Sequence, residues 1–128
     1  MVKEVEGMAK GDRFVRHVGD NGGGSLIGYV LMSYADLVKV FGKPNGYSGD
    51  KVSTSWMIED TVTGNVFEIY DYKETNLYER GMQSVAGFRK RPSYDWHLGG
   101  TKLHKQALSR FLNEKLGQVG IYARGVGY

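Results

Sequence analysis

The sequence predicts an α+β domain: a small antiparallel sheet with two helices packed on one face. Three observations carry that expectation. Apolar residues recur at helical spacing in two separate stretches, each bounded by start and stop signals. Between them, two alternating segments flank a tight turn at Thr63-Gly64-Asn65, the pattern of a hairpin. The resulting order is strand, helix, hairpin, strand, helix, which an antiparallel sheet covered on one side satisfies with short connections. A chain of 128 residues is one domain's worth, because two cores would each fall near the lower limit of independent folding.

Taken in order, residues 1–24 mix charge with glycine and end in Gly22, Gly23 and Gly24, the composition of a flexible arm. Within them, Arg13 to Val18 has an imperfect strand alternation. Leu26 to Met32 is a nearly continuous apolar run and reads as a buried strand. Ser33 is then placed as a helix N-cap, with Asp36 in the first turn complementing the helix dipole. Tyr34, Leu37, Val38 and Phe41 form the inward stripe, Gly42 is the stop, and Pro44 prevents resumption.

Residues 45–50 form a loop by composition. Thr54–Thr61 and Asn65–Tyr72 are the hairpin strands. Trp56 and Ile58 share one face with Phe67 and Ile69, and Glu68, Tyr70 and Tyr72 take the opposite face. Residues 73–93 form a long polar stretch whose length suits a functional or disordered loop. Tyr94–Leu98 is a short strand that Gly99-Gly100 breaks, and Thr101 caps a helix to Leu116 with Leu103, Ala107, Leu108, Phe111 and Leu116 inward. The core is thus expected over residues 25–117, and 118–128 is a glycine-rich tail that forms either a last strand or an arm.

Composition removes several classes of function. There is no cysteine, so disulfides, thiolate catalysis and cysteine-bound metal centres are excluded. No run of 18 apolar residues exists, and the N-terminal MVKEVEGMAKGD lacks the apolar core of a secretory signal. These features predict a cytoplasmic protein with no membrane partner. Charge is unevenly distributed. Residues 1–79 hold 8 basic and 12 acidic side chains, whereas residues 80–128 hold 9 basic and 2 acidic, which points to an anionic partner for the second part. Tyr78, Phe88, Tyr94, Trp96, Tyr122 and Tyr128 lie among its basic groups, a mixture suited to phosphates and stacked bases.

Candidate binding residues follow from that mixture. Gly99, Gly100 and Thr101 precede a helix start, where unobstructed backbone N–H groups receive anions, and Lys102 and Lys105 add charge there. Arg89, Lys90 and Arg91 are a second basic group. Tyr70, Tyr72 and Trp96 are the expected stacking platform, and His97 lies beside the Gly-Gly turn. His97, His104 and Asp95 match no established zinc spacing, so neither metal nor cofactor is expected, and His17 is isolated. Glu59, Asp60, Glu68 and Asp71 read as a solvated outer face. No nucleophile-elbow or phosphate-loop signature is present, and no catalytic residue is assigned.

Leu37 to Pro44, Gly49-Asp50-Lys51-Val52, Trp56, Ile69-Tyr70-Asp71-Tyr72-Lys73 and Trp96-His97-Leu98-Gly99-Gly100 together resemble a recurring group of small accessory proteins of bacteriophages and large DNA viruses. The resemblance spans roughly residues 33–110. The interval from Lys73 to Trp96 is longer than in that group, and both termini lie outside the match. A helix ending in Phe-Gly-x-Pro before a Trp-bearing strand is also similar, at the level of fold, to outer-membrane assembly lipoproteins and β-lactamase inhibitor proteins.

The viral resemblance implies action by binding. The expected function is sequestration of a nucleotide or other phosphate-bearing small molecule, such as a host defence signal, by a homo-oligomer in the host cytoplasm. The alternative is inhibition of an acidic host protein or nucleic-acid-processing factor through the basic 73–93 segment, and nucleic acid itself is a further candidate partner.

Overall fold

In the computed structural model the described residues are 12–17, 25–46, 49–100, 105–116 and 120–122. They form strands β1 (Phe14–Arg16) and β2 (Ser25–Met32), helix α1 (Tyr34–Phe41), strands β3 (Ser55–Asp60) and β4 (Val66–Tyr70), and helix α2 (Val85–Arg89). Strand β5 (Tyr94–Gly100), helix α3 (Lys105–Leu116) and strand β6 (Gly120–Tyr122) complete the order. The described strands make one antiparallel sheet in the order β1-β3-β4-β5-β2-β6. The α+β expectation therefore holds, with a third, short helix added.

Local sequence explains the best-defined elements. Ser33 caps α1, its Oγ accepting from the Asp36 amide at 3.0 Å. Gly42 ends the helix at φ 81°, and its amide donates to the Val38 carbonyl at 2.7 Å. In the β3–β4 hairpin, Gly64 takes φ 77° and its N–H reaches the Asp60 carbonyl at 2.7 Å.

The sheet has two unlike faces. Val30, Met32, Trp56, Ile58, Phe67, Ile69, Trp96 and Leu98 point to one side and are buried with Leu37, Val40 and Phe41 of α1, Phe88 of α2, and Leu108, Phe111 and Leu112 of α3. Trp56 and Trp96 meet edge to face at 5.3 Å, and each indole N–H is satisfied by a main-chain carbonyl, Gly42 at 2.8 Å and Met32 at 3.0 Å. All three helices serve that face. Among the described residues, no helix covers the other one.

Several expectations are corrected. The segment 1–24 is not wholly an arm: Phe14 is fully buried in the core, and β1 pairs with β3. Asp60 and Asp71 are buried, not solvated. Asp60 accepts from Arg13 Nε at 2.8 Å and Nη2 at 2.9 Å, which ties the edge strand to the sheet. Asp71 accepts from the Ser53 amide and hydroxyl and the Thr54 amide, fixing the entry to β3. His17 is not isolated, since its Nδ1 lies 3.1 Å from Glu59 Oε1.

The 73–93 stretch is not a featureless loop. It contains α2, capped by Ser84, and anchors itself through buried Thr75 and Phe88. Gly99 and Gly100 lie within β5, and a Cβ on Gly100 would stand only 3.2 Å from Phe67 Cβ. Residues 101–104, including the expected helix cap, lie outside the described residues. Part of the expected tail is β6, paired with β2. No helix among the described residues is long and apolar enough to cross a membrane.

Candidate functional site

The site is built on the helix-free face of the sheet and is centred on His97. Strand alternation puts His97 and Asp95 on the face opposite Trp96 and Leu98. The register then brings a tyrosine to each side of the imidazole, Tyr29 of β2 and Tyr70 of β4. Their ring centroids lie 5.1 Å and 5.3 Å from that of His97, and the Tyr70 and His97 rings are stacked. Three neighbouring strands thus contribute one row of rings, the arrangement in which cross-strand pairs stabilise a sheet. Tyr72, just past β4, adds a fourth ring at 5.8 Å and is 38% exposed, enough to offer a face to a ligand.

An open cleft of about 390 Å³ lies beside the Tyr29 and His97 end of this row, within the size range of small-molecule sites. Tyr29, Tyr72, His97, Glu74, Asp95 and Arg91 line it, together with Tyr94, whose ring is buried against Phe88 and Trp96. Tyr94 donates its hydroxyl to Glu74 Oε2 at 3.3 Å, and Arg91 Nη1 approaches the other oxygen at 3.8 Å. The Arg91 guanidinium stands over the Tyr94 ring at 5.5 Å.

Beside the cleft, the chain leaves β4 through Lys73 at φ 57°, the one left-handed non-glycine conformation among the described residues. Lys73 Nζ lies 5.2 Å from the ring centroids of both Tyr72 and Tyr78.

Burial shifts three of the ionisable groups in and around the site toward their neutral forms. Burial raises the Tyr70 hydroxyl's pKa, and the neighbouring Glu68, Tyr29 and Tyr72 raise it further. Burial, with Glu74 close by, pushes Tyr94 up strongly. Glu68 is also raised by burial, partly offset by the Ser55 hydroxyl that donates to it at 2.5 Å. Tyr70 and Tyr94 therefore remain neutral hydroxyls at physiological pH. Among the described residues, no group of three or more His, Asp and Glu side chains is placed to hold a metal ion.

The expected site residues separate. Tyr72, Arg91 and His97 come together at the cleft, and Tyr70 stacks on His97 outside its lining. Trp96 does not join them, because at 1% exposure it belongs to the core. Arg89 turns to the helical side, donating to Thr54 Oγ1 at 3.2 Å and covering Tyr34 at 4.8 Å. Lys90 is exposed at the end of α2.

Gly99 and Gly100 are strand residues paired with Glu68 and Phe67, so they form no loop cradle for a phosphate. Thr101 and Lys102 lie outside the described residues, as does the side chain of Lys105. Sequence reasoning missed Tyr29 and Glu74. Tyr29 sits in a run whose apolar neighbours conceal its outward direction, and Glu74 reaches the cleft only through the turn at Lys73.

Comparison with protein-family models and with curated proteins found no match.

Proposed function

We propose that the protein is a non-catalytic binding protein that sequesters a nucleotide-like ligand in the cleft over His97. The observation that carries this reading is the row Tyr29, His97 and Tyr70 with the exposed Tyr72 beside it, open on the helix-free face. Ring faces accept a base by stacking, and Arg91 in the cleft lining and Lys73 against Tyr72 are the phosphate partners. The site thus holds the base first and the phosphate second, in contrast to the anion cradle expected at the Gly-Gly turn. Capture of a host defence signal by a bacteriophage-type accessory protein is the biological role this reading fits.

Calorimetric titration with the nucleoside 5′-mono- and triphosphates tests the proposal. At least one should bind, and Tyr72→Ala should weaken it by on the order of tenfold, the usual worth of one base–aromatic contact. Because Tyr72 is substantially exposed, the variant should keep its fold. No binding of any nucleotide, or unchanged affinity in Tyr72→Ala, would overturn it.

A second reading, docking of an acidic host protein through the 73–93 segment, is favoured by Leu77 and Tyr78, which are 48% and 40% exposed beside Lys73. Deleting that segment would remove Phe88 from the core, so the appropriate variant is Leu77→Asp with Tyr78→Ala. Loss of a captured partner with nucleotide binding intact would favour this second reading.

A further inference from the structure

The cleft lining ends at Tyr72, but the series of rings and cations continues past it. Lys73 Nζ lies 5.2 Å from the Tyr72 ring centroid and 5.2 Å from that of Tyr78, so two rings share one ammonium. The rings make no contact with each other and are separate stacking surfaces. Both are open, Tyr72 at 38% and Tyr78 at 40% exposure, and Tyr78 lies outside the cleft lining. Among the described residues Lys73 forms no ion pair, so its ammonium keeps its donors for an anion.

The segment that carries Tyr78 is fixed from several sides. Lys73 takes φ 57°, a left-handed conformation that costs energy in a residue with a Cβ and persists only where the surroundings hold it. Its amide donates to the Lys51 carbonyl at 2.7 Å. Thr75 is buried; its carbonyl accepts from the Tyr78 amide at 3.0 Å, and its hydroxyl oxygen accepts from the Leu77 amide at 3.3 Å. The Gln83 carbonyl accepts from the Asn76 amide at 2.8 Å, and the Gln83 side chain donates to the Glu74 carbonyl at 3.0 Å. A main chain held in this way lowers the ordering cost of binding.

A mononucleotide stacked on Tyr72 leaves Tyr78 unused. A second base, joined to the first through a phosphodiester, matches the remaining order of cation and ring. We infer that the ligand is a phosphodiester-linked dinucleotide unit, with one base at Tyr72, the linking phosphate on Lys73 and the second base on Tyr78. This rests on the reading of the cleft as a nucleotide site and goes beyond it by adding a second subsite and fixing the ligand's length.

The experiment is calorimetry on the full chain with 5′-phosphorylated dinucleotides of the four bases, the matching nucleoside 5′-monophosphates and the matching 3′,5′-bisphosphates. The bisphosphate supplies the second phosphate without the second base. At least one dinucleotide should bind tighter than its bisphosphate by on the order of tenfold, the worth of one stacked base. Tyr78→Ala should bring that dinucleotide to the affinity of the bisphosphate and leave the monophosphate unchanged, whereas Tyr78→Phe, which keeps the ring, should preserve the preference. Lys73→Gln should weaken dinucleotide and bisphosphate together and flatten the salt dependence of both.

A dinucleotide that binds no tighter than its bisphosphate overturns the second subsite and leaves the nucleotide reading standing. A preference that survives Tyr78→Ala does the same and returns the exposed ring to the docking of a protein. Equal weakening of monophosphate and dinucleotide in Tyr78→Ala marks a structural role and also overturns it. Binding of none of these ligands, with no triphosphate binding either, removes both readings. If Tyr78→Ala does not fold, the wild-type ranking of dinucleotide against bisphosphate still decides.

Discussion

The pairing of Arg13 with Asp60 allows a quantitative prediction about how the edge strand is held. The Asp60 carboxylate is buried and receives both the Arg13 fork and the Val62 amide. These bonds, led by Arg13, lower its pKa from 3.8 to about 2. At about 1.4 kcal/mol per unit, the ionised carboxylate contributes about 2 kcal/mol to folding. That contribution is present above pH 4 and is lost as pH falls through about 2, because the unfolded chain takes up the proton first.

The perturbation is Arg13→Met, which keeps an apolar stem near Phe14 and removes the guanidinium. Urea denaturation from pH 7 to pH 2 is the assay. The variant should be less stable by at least that amount at neutral pH, since it leaves a buried carboxylate without its partner. The gap between the two proteins should narrow across the window from pH 4 to pH 2. A constant gap would mean that Asp60 is not titrating against Arg13, and the account of β1 attachment would be wrong.

Two further outcomes follow from the same reasoning. Glu68 has a folded pKa raised by burial, so its contribution is favourable at low pH and is lost as pH rises through the carboxylate range. Glu68→Gln keeps an acceptor for the Ser55 hydroxyl and should raise the thermal midpoint at pH 7, with the gain vanishing near pH 3; a lower midpoint at pH 7 would refute this. Gly100→Ala places a Cβ 3.2 Å from Phe67 Cβ and 3.4 Å from the Val66 carbonyl oxygen. It should destabilise by about 1–3 kcal/mol in denaturant while leaving ligand affinity unchanged, and the reverse pattern would restore an anion cradle at the glycines.

Most of the fold is legible in the sequence, and the reasons are local. Ser33, Gly42 and Pro44 bound α1 through side-chain capping and main-chain geometry, which need no distant partner. The alternation of Trp56, Ile58, Phe67 and Ile69 assigns their face without knowledge of the neighbours. Tyr70 and Tyr72 are assigned to the outer face on the same ground. The failures are non-local. Which strands lie beside β5 is a matter of topology, so the meeting of Tyr29 with His97 is invisible until β2 takes its place in the sheet.

Trp96 illustrates a second limit. Its alternation partner Leu98 already points it inward, yet the basic surroundings in sequence suggested a surface role. Arg89 and Arg91 are near neighbours in the chain but part company because α2 ends at Arg89, sending that residue to Tyr34 and Arg91 to Tyr94. Charge counted along a sequence does not locate charge in space. Asp60 and Asp71 were likewise concealed, because burial of a carboxylate depends on partners as far away as Arg13 and Ser53.

The most direct test of the central claim is a ¹H–¹⁵N chemical-shift titration of the full chain with the nucleoside 5′-mono- and triphosphates. The account predicts perturbations concentrated at Tyr29, Tyr72, Glu74, Arg91, Asp95 and His97, which surround one cleft on the helix-free face. Shifts concentrated instead on residues 101–105, or no shifts at millimolar nucleotide, would contradict it.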